Sequence, residues 1–210
     1  LDITGRLPTV AETRAFAQNR APNKRDLLID TLLNSPDYAD YFANKWAALL
    51  RNKREDKRDI TSNFAFHAWV RDGLLENKPY DQMVRELLAA TGDVLENPPV
   101  AWYKRVREPQ QQLEDVAQLF LGVRMQCAQC HHHPFEKWSQ QDYYSFAAFF
   151  SQVGRKPTAI KGEEIIFHKR GLAQAVNKKT RQPVKPAGLG DPTFEIPVDE
   201  DPRLRLAAWM

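Results

Sequence analysis

Helix-start signals recur along the first two thirds of this 210-residue sequence, and they constrain its fold more than any other feature. Thr9 followed by Glu12 has the pattern of a capping box, in which each residue satisfies a backbone N–H of the other. Pro36 and Pro109 stand where a first helical residue is expected, a position that tolerates proline because its N–H makes no intrahelical bond. With the apolar spacing between such signals, they predict helices over 10–16, 25–33, 36–50, 62–75, 79–88, 109–126 and 140–153.

Two of these helices have candidate buried faces. In the helix over 25–33 the stripe consists of Leu27, Leu28, Thr31 and Leu32. In the helix over 36–50 it consists of Tyr38, Phe42, Trp46 and Leu49. Both stripes have helical spacing, so we expect both to pack against the core.

The composition changes after residue 155. Glycines and the prolines at 157, 183, 186, 192, 197 and 202 interrupt any helical pattern. The run Glu164–His168 is typical of a short strand. Earlier in the chain, the stretch 92–106 with its adjacent prolines 98 and 99 predicts a loop. We therefore expect a mainly α fold, with a multi-helix domain over 1–155 and a Pro/Gly-rich, mostly irregular lobe with a small β element over 156–200.

The end of the sequence carries one more helix-start signal. Asp201 followed by Pro202 predicts a helix, which we expect to open a following domain over 201–210. The sequence also begins with Leu1 rather than methionine. We therefore expect a piece of a longer protein, with the neighbouring domains of that protein among its partners.

The overall charge and hydropathy exclude several classes of protein. Lys and Arg number 30 against 27 Asp and Glu, a net charge of +3 that is too balanced for a dedicated nucleic-acid binder. No run of about 18 apolar residues could cross a bilayer. Two cysteines cannot build the disulfide scaffold of a small secreted protein. The charged run 51–58 mixes both signs, so we expect a solvated helix end or loop there.

The two cysteines and the next residue form the pattern of covalent haem attachment. Cys127, Cys130 and His131 match C-x-x-C-H. Thiols three positions apart lie on one edge of a helical turn, where they can add to the two vinyl groups on one side of a porphyrin. The imidazole that follows then reaches the iron. The pattern predicts haem c bound through Cys127 and Cys130, with His131 as the proximal axial ligand.

Other interpretations of this cluster stay open. His133 or His67 could be a second ligand or could support the first one by a hydrogen bond. Cys127, Cys130 and His133 could instead hold zinc with a fourth ligand, and the two thiols could form a redox pair or a local disulfide. Paired carboxylates, a nucleophile elbow and a phosphate loop are all missing from the sequence, so no catalytic residue is predicted.

Several stretches resemble a family, the planctomycete-type cytochrome c-like domain of unknown function. The most specific is FLGVRMQCAQCHHHPFEKWSQQDYYSFAAFF; the others are LDITGRLPTVAETRAF, LLNSPDYADYFANKWAALLR and WVRDGLLENKPYDQMVRELLAATGD. The resemblance covers nearly the whole chain. His133 and Pro134 match the family pattern after CxxCH, while His132 stands where the family usually has Asp. In that family the domain sits in large exported proteins, before a further domain of unknown function.

The resemblance and the motif together predict a c-type haem-binding domain of an exported bacterial protein, placed in the periplasm or cell envelope. We expect it to transfer electrons to or from a redox partner, as a carrier rather than a stand-alone enzyme. The alternative is a structural or interaction domain of the cell envelope whose Cys/His cluster binds zinc or forms a disulfide.

Overall fold

A computed structural model describes residues 1–53 and 60–210, so most of the charged run 51–58 lies outside the described residues. Within them the chain is mainly α-helical, as predicted, with small β elements. The α-helices are α1 Val10–Gln18, α2 Lys24–Leu33, α3 Pro36–Leu49, α4 Ile60–Leu75, α5 Tyr80–Leu88, α6 Val100–Arg105, α7 Pro109–Phe120, α8 Gln140–Ala147 and α9 Pro202–Trp209. The strands are β1 Val153–Pro157, β2 Glu164–His168, β3 Ala175–Val176 and β4 Pro183–Val184. None of the described helices is both long and apolar enough to span a membrane.

Side-chain caps are present at several helix starts, including the predicted one of α1. The Thr9 hydroxyl accepts a hydrogen bond from the backbone N–H of Glu12, and the Glu12 carboxylate accepts one from Thr9 in return. Ser139 and Asp142 make the same reciprocal pair at the start of α8. At α2, in contrast, Asn23 makes no side-chain cap, although the helix begins directly after it.

Neither predicted stripe forms the fully buried face of its helix, although Trp46 of α3 packs against the core. In α3 the buried residues are Ala39, Ala43 and Ala47, while Leu49 is exposed. Small side chains let α3 lie close against α4, and the larger residues sit at the edges of this contact. In α2 no residue is buried, and Leu28 and Leu32 instead line an open groove of about 300 Å³ against α1.

The core is centred on α8. Tyr143, Phe146 and Ala147 are fully buried there, and α7 packs alongside. The segment predicted as a loop contains α6, whose Trp102 and Tyr103 are buried in the same core. Pro99 directly precedes α6, which is where a proline can begin a helix rather than prevent one.

The C-terminal third wraps this core with two antiparallel hairpins. β1 pairs with β2, so the predicted strand over Glu164–His168 is confirmed, and β3 pairs with β4. The helix predicted at Pro202 is also present as α9. It packs on α5 and buries Leu206 in the main core. The division of the chain near residues 155 and 200 stays a prediction.

Candidate functional site

The cysteines lie on a short turn of their own, not at the end of α7 as predicted. α7 ends at Phe120 because Gly122 adopts a left-handed backbone with a φ of 70°, and the N–H of Val123 bonds back to the Ala117 carbonyl at 2.9 Å. This is a glycine-based helix end. The chain then forms a 3₁₀ turn over Gln126–Gln129, which we call the cysteine turn together with Cys130 and His131.

The cysteine turn is fixed to α8 from beneath. Met125 and Ala128 are fully buried below it. Gln140 of α8 donates from its side-chain amide to the Gln129 carbonyl at 2.8 Å, and the Tyr144 hydroxyl donates to the same oxygen at 3.3 Å. These contacts leave Cys127 half-buried and Cys130 exposed, and both thiols are free.

His131 is exposed and has a defined tautomer. Its Nδ1 atom lies 2.6 Å from the carbonyl oxygen of His132. A carbonyl oxygen can only accept a hydrogen bond, so Nδ1 carries the proton. In the neutral ring Nε2 then keeps its lone pair, and it is the nitrogen that points away from the backbone contact. Metal-ligating histidines commonly have this arrangement, in which the second nitrogen donates to a backbone carbonyl.

His133 has the opposite tautomer. Its Nδ1 atom accepts hydrogen bonds from the backbone N–H groups of Phe135 at 3.3 Å and Glu136 at 3.0 Å. The backbone N–H of His133 donates to the Trp138 carbonyl at 2.8 Å. Nδ1 is therefore unprotonated, and a neutral ring carries its proton on Nε2. In this arrangement neither nitrogen offers a free lone pair, and the ring caps the turn over 133–136.

His67, the other predicted candidate, lies on α4. Its Nε2 atom is 3.1 Å from the Oδ1 atom of Asn44 on α3, in a groove between these two helices. The cysteine turn packs on α8 instead. The structure therefore brings Cys127, Cys130 and His131 together with His133 on one segment, whereas His67 has its partner elsewhere. Across residues 1–53 and 60–210, no group of three or more His, Cys, Asp or Glu side chains could hold a metal ion.

Two buried tyrosines of α8, Tyr143 and Tyr144, lie near Cys130, and the sequence pattern did not predict them as site residues. The Tyr143 hydroxyl donates to Glu114 Oε1 of α7 at 2.7 Å. Burial and this carboxylate raise the pKa of Tyr143 well above its ordinary value. Burial also raises the pKa of Tyr144, and nearby Cys130 adds to that shift. Tyr144 contacts the cysteine turn directly through the Gln129 carbonyl, and the aromatic pattern of α8 in the sequence gives no sign of this contact.

The residues present fit the attachment of a haem. Two free thiols stand three positions apart on one turn, and an exposed imidazole with a free Nε2 follows them. Phe135, at 92% exposure, lies just beyond, with its ring centre 6.5 Å from that of His133. Cys130 and His131 are both exposed, so a porphyrin attached here would have an edge at the protein surface.

Comparison with known proteins places most of the chain in one family. The sequence model of PSCyt2, described as a protein of unknown function (DUF1549), matches residues 1–155. No curated protein and no solved structure matches the chain.

Proposed function

The chain belongs to the PSCyt2 family of proteins of unknown function, and we propose that it is a c-type haem-binding domain that transfers electrons. The observation that carries this proposal is the geometry of the cysteine turn. Cys127 and Cys130 offer free thiols at the attachment spacing, and His131 offers Nε2 while its Nδ1–H is held by the His132 carbonyl.

The side chains of the turn have distinct roles in this proposal. Cys127 and Cys130 would hold the haem through thioether bonds, each formed by addition of one thiol S–H across one vinyl group. His131 would be the iron ligand through Nε2, and the hydrogen bond from its Nδ1–H to the His132 carbonyl orients the ring and would make the ligand more basic. The haem supplies a one-electron couple, whose potential depends on the axial ligands and on solvent exposure.

The interior of the domain holds this turn in place. Gln140 and Tyr144 bind the Gln129 carbonyl, and Ala128 is buried against the core, so the backbone between the two cysteines is anchored at its centre. A fixed backbone keeps both thiols on the same edge of the turn. His133 supports the segment that follows, rather than acting as a metal ligand.

The proposal includes a compartment and a partner. Haem c is attached outside the cytoplasm, so the domain would work in the periplasm or cell envelope as part of an exported protein. A protein that only carries electrons also requires a redox partner, and an exposed haem would be accessible to one.

The test is to express the chain in a periplasm with a cytochrome c maturation system. We expect one haem per chain that stays with the protein through acid-acetone extraction, and no titratable thiol. Substitution of both cysteines, Cys127→Ser with Cys130→Ser, should release all colour on extraction. A colourless wild-type protein with two titratable thiols would contradict the proposal. One zinc and no iron per chain would favour a structural Cys/His site instead.

A further inference from the structure

The β3–β4 hairpin carries a cluster of basic side chains on its turn. Lys178, Lys179 and Arg181 are all exposed. The whole stretch 175–185 contains no Asp or Glu. The net charge of the entire chain is +3, so this one turn carries as much positive charge as the protein has in excess. We call the stretch 175–185 the basic hairpin.

The backbone of the basic hairpin is held by Asn177, which is only 3% exposed. Its Oδ1 atom accepts hydrogen bonds from the N–H groups of Lys179 at 3.0 Å and Thr180 at 3.3 Å. Its carbonyl accepts one from Arg181 at 2.7 Å, and Arg181 has a left-handed backbone with a φ of 58°. The three cations are therefore presented by an ordered turn, not by a flexible loop.

These cations have no acidic partner in the described part of the chain. Lys185, at the end of the hairpin, forms an ion pair with Glu195. No ion pair in residues 1–53 and 60–210 involves Lys178, Lys179 or Arg181. A fixed cluster of unpaired like charges repels itself and creates a local positive potential.

The basic hairpin lies next to the cysteine turn because both pack on α8. The Tyr144 hydroxyl of α8 donates to the Gln129 carbonyl between the two cysteines, and the backbone of Lys178 lies near enough to that hydroxyl to counter part of the rise in the pKa of Tyr144. α8, which carries Tyr144, also packs against the cysteine turn, β3 and β4. The positive potential is therefore centred beside the attachment site.

We infer that the basic hairpin is the docking surface for an acidic protein that exchanges electrons through the cysteine turn. This inference rests on the proposed haem function. Complementary charge increases the rate of encounter and orients the partner, and its effect falls with ionic strength. A positive cluster beside the turn would bring an acidic partner to the edge where the haem is exposed.

The first test uses a fluorescent deca-glutamate peptide as the acidic probe. The variant K178E/K179E/R181E is compared with R14E/R20E/R25E, which makes the same change in net charge on exposed residues of α1 and the α2 region. We expect the hairpin variant to bind the peptide at least about tenfold more weakly than wild type at low salt, and the control variant to bind nearly as well. Equal weakening in both variants would show that only net charge matters and would overturn the inference. Tighter binding of the wild-type chain to vesicles containing phosphatidylglycerol than to the peptide would also overturn the inference.

The second test measures electron transfer from the reduced, haem-loaded chain to small oxidants of opposite charge. Ferricyanide is anionic and hexaammineruthenium(III) is cationic. The wild-type rate with ferricyanide should fall as salt is added and that with the cation should rise, and the hairpin variant should weaken or reverse both trends. Unchanged trends in the hairpin variant would overturn the inference even though haem is bound. If the chain carries no haem, the proposed function is wrong. The peptide experiment needs no haem, so it still tests whether the basic hairpin binds an acidic partner.

Discussion

The Nδ1 atom of His131 lies 2.6 Å from the carbonyl oxygen of His132, so the backbone of one histidine sets the tautomer of the other. The contact uses no side-chain atom of His132. It leaves Nε2 of His131 as the nitrogen available to an iron, and the group that accepts from Nδ1 is a backbone carbonyl, not a carboxylate. A backbone acceptor in this role survives substitution of the residue that provides it, which separates the functions of the adjacent histidines experimentally.

His131→Ala should impair haem loading much more than His132→Ala. The first change removes the proposed axial ligand, and the second keeps the carbonyl that orients it. Loss of a ligand or of its orienting partner commonly costs about 10-fold to 100-fold in metal-site affinity or activity, so we expect at least about tenfold less holoprotein for His131→Ala. The measurement is haem absorbance per chain after expression with the maturation system.

Imidazole provides a further check on this assignment. Added to any haem-loaded His131→Ala protein, it should restore the wild-type absorption spectrum by occupying the vacated position. Similar loading of the two alanine variants, with identical spectra, would contradict a role for His131 as ligand.

His133→Ala should destabilise the protein while leaving haem loading intact. The substitution removes the acceptor for two backbone N–H groups, those of Phe135 and Glu136. A hydrogen bond contributes about 0.5–1.5 kcal/mol, so we expect a loss of about 1–2 kcal/mol in the free energy of unfolding. His133→Asn should recover part of it, since an Asn side-chain oxygen can accept from the same turn. Urea unfolding measures the stability; loss of haem or zinc without loss of stability would show that His133 is a ligand.

The local signals in the sequence predicted helix starts well and helix ends poorly. Capping pairs such as Thr9 with Glu12 act within three residues, so the sequence alone reveals them. Gly122 is an equally local stop signal for α7, but the apolar spacing beyond it led the prediction on to residue 126. Pro99 was interpreted as a helix breaker, although proline directly before or at a first turn is compatible with a helix.

What the sequence could not predict depends on tertiary contacts. The buried face of α3 consists of alanines because α4 approaches it closely, and nothing in α3 alone indicates that approach. At the site, CxxCH identified Cys127, Cys130 and His131 without the fold. The tautomers of His131 and His133 depend on the backbone path after the motif. The neighbouring position of the basic hairpin depends on α8, which packs against both the hairpin and the cysteine turn.

Arg203→Ala should be strongly destabilising, and Arg205→Ala on the same helix should not. Arg203 is only 1% exposed. It forms an ion pair with Asp201 at 2.6 Å and donates a hydrogen bond to the Ala90 carbonyl at 2.8 Å. Removing one partner of a buried pair leaves the other charge uncompensated, which costs about 3–5 kcal/mol. Arg205 is half-exposed and pairs with Glu200 at the surface, a contact that contributes about 0–1 kcal/mol. Urea unfolding measures the free energy of unfolding of both variants. Equal losses of stability would contradict the assignment of Arg203 to a buried ion pair.

The capping box of α1 should make the stability of that helix depend on pH. Hydrogen bonds from Arg6, and then from Thr9, lower the pKa of Glu12 from 4.5 to about 2. The folded state therefore holds this proton less tightly than the unfolded state, so the contribution of Glu12 is complete above about pH 4.5 and is lost as the pH falls through about 2. α1 buries no residue, so the effect should be local, and hydrogen exchange of the Thr13 amide, which bonds to Thr9, reports it. Protection of this amide should decline across that range in the wild type.

Glu12→Gln separates the charge from the hydrogen bond. A Gln side-chain oxygen can still accept from the Thr9 N–H, as capping boxes allow, but it does not titrate. The variant should therefore keep α1 and show a flatter pH profile for the Thr13 amide. Glu12 is on the surface, with its side chain 45% exposed, so the difference between the two profiles should also shrink as salt is raised from about 0.1 M to about 1 M. Parallel profiles at low salt would mean that the ion pair with Arg6 contributes nothing to α1, and that the cap acts through its hydrogen bonds alone.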